Sequence, residues 1–261
     1  MPAYRSPEQE PPRSRGRGYR IGVTALAIGV AGLAVSLFGV ATQVMPRHFS
    51  AAQQRQITDW EYGKRWRVLP ASQIFPALVK YTPPVALGDD QSLTLAAHRL
   101  GIARQSTCKA ATDAAAAAVL DRYGCTALLR ATYTDETDSY VVTVGAAVMP
   151  GSAQATAAAH ALAGAGGTSG TAPGVHAVAF NNTPAAWFTD QRRQLSGSMA
   201  AGDYVILYTV GYADSRPHEP VSGDAYADAE MTNAGQGVAH AVLSVLGAPV
   251  APAHCPGTPG C

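Results

Sequence analysis

Residues 203–212, DYVILYTVGY, form an uninterrupted apolar run. Runs of this length that lack the helical spacing of polar residues are strands buried on both faces, so this stretch is expected to be a central strand of a covered sheet.

Further strands and helices are expected on either side of it. Downstream, residues 224–246 place Met231, Ala234, Val238, Val242 and Val245 on one helical stripe, and Gly247 and Pro249 stop it. Upstream, TPAAWFTDQRRQLSG is expected to be a short helix, with Thr183 as cap, Pro184 at the first helical position and Gly197 as terminator. GVHAVAFN before it is expected to be a strand. Residues 151–163 have the pattern of a helix with a small-residue face, followed by a glycine-rich loop, GAGGTSGTAPG. TALLRATY and YVVTVGAAV, joined by the acidic turn TDETDS, are expected to pair as a hairpin. In chain order this gives helix, two strands, helix, strand, short helix, strand and long helix. The expected fold class is α+β, with helices packed on a mainly antiparallel sheet.

The cysteines bear on compartment. There are four, Cys108, Cys125, Cys255 and Cys261, an even number, as expected of a disulfide-bonded chain in an oxidising compartment. Cys108 with Cys125 is the favoured pair, because Cys255 and Cys261 share a Pro/Gly tail and can form a second bridge there. A helix begun at Cys108 would carry its far end about 25 Å away, too far to bridge. The helix is therefore expected to start at Thr112 or Asp113 and end at Gly124, with residues 107–111 running back along it.

Residues 21–45, IGVTALAIGVAGLAVSLFGVATQVM, carry no formal charge. As a helix they would be about 37 Å long against a hydrocarbon core of about 30 Å. A cleaved signal peptide is the competing reading, with Gly39 and Ala41 offering small residues for a cleavage site, but its apolar region is usually only about 7–15 residues. Arg13, Arg15, Arg17 and Arg20 crowd the near side of the run and Arg47 and Arg55 follow it more sparsely, which places the N-terminus inside. The expected organisation is a disordered cytoplasmic tail over 1–20, a transmembrane helix over 21–45, a juxtamembrane linker over 46–59, an extracytoplasmic domain over 60–247 and a Pro/Gly-rich tail over 248–261. The expected location is the cell membrane, as a single-pass protein.

Just after the linker, Trp60, Tyr62, Lys64, Arg65, Trp66 and Arg67 interleave aromatic and basic side chains. A first strand is expected here, and the same residues are candidates for a contact with the membrane or a partner. Nucleic acid is not an expected partner, since the net charge is +1 and charged residues make up 14% of the chain.

Catalytic and cofactor patterns are missing from the text. GGTSG is not the GxSxG of a serine hydrolase, and the same glycines miss the dinucleotide pattern. His48, His98, His160, His176, His218, His240 and His254 show no metal or catalytic spacing. The acidic turn lacks the spacing and glycine of a calcium loop. No cofactor, metal or catalytic residue is therefore expected.

The basic Trp stretch leading into LPASQIFP, the Cys108–Cys125 segment, LLRATY with TVGAAV, and YTVGYADSR together resemble a group of actinobacterial single-pass membrane proteins with no established reaction. That resemblance implies the single-span topology and supports the Cys108–Cys125 pairing, and it transfers no catalytic residue. The leading expectation is a non-enzymatic, membrane-anchored module that contacts an envelope partner or ligand. The alternatives are a surface-anchored hydrolase acting on envelope polymers and a passive spacer.

Overall fold

A computed structural model describes residues 47–82, 94–165, 172–218, 225–251 and 254–255. The expected tail over 1–20, the expected span over 21–45, Cys261 with its bridge, and most of the glycine-rich loop lie outside the described residues. Among the described residues no helix is long and apolar enough to cross a membrane.

The chain divides into two units, one of residues 1–54 with 252–261 and one of residues 55–251. In the first, β1 (Arg47–His48) pairs antiparallel with β8 (His254–Cys255). Helix α1 (Ala51–Val68) begins in this unit. Its start is a reciprocal capping box: the Ser50 backbone N–H donates to Gln53 Oε1 at 3.0 Å and the Gln53 N–H to Ser50 Oγ at 3.3 Å.

The second unit is an α+β domain built on a six-stranded antiparallel sheet of order β2-β3-β4-β5-β7-β6. Its strands are β2 (Leu78–Tyr81), β3 (Leu95–Ile102), β4 (Ala127–Asp135), β5 (Tyr140–Val148), β6 (Leu195–Ala201) and β7 (Tyr204–Tyr212). Residues 204–211 are all buried, and β7 lies between β5 and β6, as its uninterrupted apolar run requires. The hairpin β4–β5 pairs Ala127 with Val148 through to Thr134 with Val141.

The helices after α1 are α2 (Ala71–Ile74), α3 (Cys108–Ala111), α4 (Ala114–Arg122), α5 (Ser152–Ala165) and α6 (Ala225–Leu246). Met231, Ala234, Val238 and Val242 of α6 are buried against Val142, Val144, Ile206, Tyr208 and Val210 on one face of the sheet. The other face carries Leu128, Ala147, Val205 and Leu207, packed with Cys108, Ala111, Ala116, Leu120, Ala155, Ala158 and Leu162 from α3, α4 and α5.

The disulfide joins Cys108 to Cys125 with the Cα atoms 6.3 Å apart. Asp113 caps α4 through its side chain, Gly124 follows the helix at φ +79°, and α3 turns the chain back so that the two sulfurs meet.

Three expectations are corrected. The aromatic and basic stretch expected as a first strand is the second half of α1; the first strand of this unit is Leu78–Tyr81. The expected short helix after Thr183 is a set of turns and one 3-10 turn, Asp190–Arg192, and Gly197 lies inside β6, which the sequence reading passed over. Residues 174–180, expected as a strand, run extended across the sheet without joining it as a strand. They form a strap that bonds backbone at Ala111 and Asp113 on one side and side chains of the sheet on the other: the His176 N–H donates to Ala111 O at 2.8 Å, Thr132 Oγ1 donates to Val178 O at 2.8 Å and the Val178 N–H donates to Thr143 Oγ1 at 3.1 Å.

Glycine is required where this strap meets the sheet. A Cβ on Gly174 would lie 2.6 Å from Ser196 Oγ, and one on Gly101 would collide with the Phe180 ring.

Candidate functional site

The six aromatic and basic residues singled out in the sequence share α1 but have two different roles. Tyr62, Arg65 and Trp66 fasten the helix to the domain. Arg65 Nη1 donates to Leu246 O at 2.8 Å and also to Ala248 O, while the Trp66 N–H donates to the Tyr204 hydroxyl at 3.2 Å. The Tyr204 hydroxyl donates in turn to Tyr62 O. Burial is the main force that pushes the Tyr204 phenol up to about 12, so it keeps the proton it donates.

Trp60 is different, being 63% exposed. Lys64 Nζ stands 3.5 Å from its ring centroid and 2.6 Å from Glu61 Oε1, so the indole and its cation are held on an outward face. The exposed Arg67 lies over the Trp66 ring at 4.7 Å.

Beneath this helix sits Asp203, 4% exposed. Burial raises its carboxyl above the usual range, and Asp59 adds to the effect.

The charged residues under the strap hold it in place. Asp113 Oδ1 accepts from the Ala116 N–H at 2.9 Å, and its Oδ2 accepts from Gly174 N–H at 2.8 Å and from both terminal nitrogens of Arg193 at 3.0 Å. Asp190 accepts the Ala177 N–H at 2.8 Å and pairs with His176 Nδ1. A His–Asp pair is also two-thirds of a nucleophilic triad, but here both partners lie on the strap and its return, and the Asp190 carboxylate also fixes strap backbone. Burial lowers the Arg130 guanidinium from its ordinary value, with Asp190 acting the other way.

The acidic turn is equally structural. Asp135 Oδ1 accepts the N–H groups of Ser139 and Tyr140 at 2.8 and 2.7 Å, closing the β4–β5 hairpin. Among the described residues no three His, Cys, Asp or Glu side chains come together in a way that could hold a metal ion.

A cleft of about 490 Å³ opens between the end of β2 and α6. Its lining includes Lys80, Tyr81, Asn233, Gln236, Gly237 and His240. The sequence reading did not assemble this group, because its two halves are about 150 positions apart. A local signal exists all the same: Asn233, Gln236, Gly237 and His240 recur at helical spacing beside the apolar stripe.

Comparison with protein-family models, with curated proteins and with solved structures found no match.

Proposed function

We propose that this chain is a membrane-tethered extracytoplasmic module that contacts another envelope protein through the outer face of α1. Three features support this reading: the charge-free apolar run of residues 21–45, the Cys108–Cys125 disulfide that suits an oxidising compartment, and the aromatic and basic helix that follows the run.

The observation that carries it is Trp60. A large indole left mostly in solvent, with a lysine stacked on it, on a helix whose opposite side is fastened by Arg65 and Trp66, is a pre-ordered anchor of the kind that dominates protein interfaces. Its complement is an apolar pocket edged by carboxylates, which would take the indole and face Lys64 and Arg67.

Cross-linking in intact cells tests the proposal. The expected outcome is one reproducible cross-linked partner that disappears in the Trp60→Ala variant and weakens in Lys64→Ala, with the chain still exported and the disulfide still formed. An unchanged partner set in Trp60→Ala rules out the α1 face as the contact.

A further inference from the structure

We infer that the cleft between β2 and α6 binds a small hydroxylated amine in its ammonium form, the chemistry of an amino sugar. This inference rests on different residues from the α1 contact, and the two can fail separately.

The first observation is size. At about 490 Å³ the cleft falls within the range of about 300–1,000 Å³ typical of small-molecule sites, enough for a sugar ring with its substituents.

The second is Asn233. It is only 5% exposed, it lines the cleft, and among the described residues no hydrogen bond reaches its side-chain amide. Buried amides are normally bonded, and one that faces a cavity without a partner points to a ligand that supplies one. The amide oxygen accepts and the amide nitrogen donates. A ligand ammonium answers the oxygen alone, and a hydroxyl beside it answers the nitrogen.

The third is the field in the cleft. Burial first, then the carboxylates of Asp135, Glu136 and Glu230, push the Tyr81 phenol up to about 12, so it is neutral at neutral pH. Surroundings that hold a proton on a phenol through nearby negative charge also attract a cationic ligand and repel an anionic one. Glu230 is the carboxylate on α6 itself, three residues before Asn233 and so one turn away on the same side of the helix. Its Oε2 accepts the Tyr140 hydroxyl at 2.6 Å, and a carboxylate has acceptor sites beyond that one.

The fourth is the rest of the lining. Gly237 lets the Tyr81 ring come close, since a Cβ there would lie 2.4 Å from the ring. The ring gives the cleft an aromatic wall, which suits the C–H face of a sugar and attracts a cation. The basic residues of the lining do not oppose this. Alternation along β2 puts buried Val79 and half-buried Tyr81 on one face and exposed Lys80 on the other, so the Lys80 ammonium points away. His240 lies seven residues beyond Asn233, about 10 Å further along α6 and at the end away from Glu230. The ligand ammonium therefore belongs at the Asn233 and Glu230 end.

Saturation-transfer NMR tests this on the full chain in micelles of a non-ionic detergent without sugar headgroups. Three probes share one kind of ring: D-glucosamine as its ammonium ion, D-glucose without charge, and D-glucuronate with a carboxylate. The expected result is saturable transfer to glucosamine, affinity weaker by about ten-fold or more for glucose, and no saturable transfer to glucuronate. Glu230→Gln is an exposed change that removes the charge and keeps the shape; it should weaken glucosamine binding about five-fold or more and leave glucose binding unchanged. Asn233→Leu should weaken glucosamine binding about ten-fold or more. Because it replaces an unpaired buried amide by an apolar group of similar size, it should not lower the melting temperature, as it would if the amide held the fold together. Absence of saturable transfer to glucosamine, equal affinity for glucose or glucuronate, undiminished glucosamine binding by either variant, or a lower melting temperature of Asn233→Leu would each overturn the inference.

Discussion

The two faces of the sheet are covered in different ways, and the strand residues beneath each cover differ accordingly. On one face α6 lies over Val142, Val144, Ile206 and Val210, and the contact is apolar. On the other, beside α3 to α5, the strap crosses above Thr132, Thr143, Thr209 and Ser196, and the sheet there is hydroxylated. A helix satisfies its own backbone, so the sheet under it need offer only surface. An extended segment lying across strands does not pair with them as a strand, and its N–H and C=O groups must find partners elsewhere, here the backbone at Ala111 and Asp113 and the side chains of Thr132 and Thr143. The threonines are therefore matched to the strap in the way the valines are matched to the helix.

The largest effect is expected on the apolar face. Ile206 is fully buried, and Ile206→Ala should lower unfolding stability by about 2–5 kcal/mol, read by denaturant titration, with protection lost throughout the sheet and α6. A loss below about 1 kcal/mol would mean that this face is not the main core.

A smaller and local effect is expected under the strap. Thr143→Val keeps the shape and removes the acceptor of the Val178 N–H and the partner of the Thr132 hydroxyl, which lies 3.0 Å away. The expected cost is about 1–3 kcal/mol. Amide exchange at Val178 should accelerate while α6 amides that open locally keep their rates. Equal acceleration in both places would show that strap and helix open together.

The smallest effect concerns Asp203. Its carboxyl is raised in the folded chain, so the folded state holds its proton to higher pH than the unfolded chain does, and stability falls as pH rises from the ordinary carboxylate value through the raised one. Asp203→Asn removes this term. Thermal melts should show a gain of roughly a few degrees at about pH 7 that fades by about pH 3. An equal gain at both pH values would assign it to something other than titration.

Much of the apolar face could be read from the sequence, because α6, β4, β5 and β7 have clear periods or runs. The strap face was harder. Residues 174–180 are extended as expected, but no periodic pattern tells a strand from a segment bonded to threonine hydroxyls. LSGSMAA of β6 has small, weakly strand-forming residues and every one of them is half-buried, as befits an edge strand. LAAHRLGI of β3 is interrupted by a register shift between Arg99 and Gly101. The aromatics of α1 suggested a strand although Ser50 and Gln53 carry the spacing of a helix start. The same composition that drew attention to Trp60 could not say that Arg65 and Trp66 face the domain instead of solvent. Nor could spacing bring Lys80 to Asn233, since only the fold does so.

The strap also fixes an order of events. Its seats include Ser196 on β6 and Thr209 on β7, both later in the chain than the strap itself. A polypeptide emerging from its N-terminus can close the β4–β5 hairpin at once, but residues 174–180 have nowhere complete to lie until β6 and β7 have been made and paired. Until then Gly174 to Phe180 is a short apolar segment without its seat.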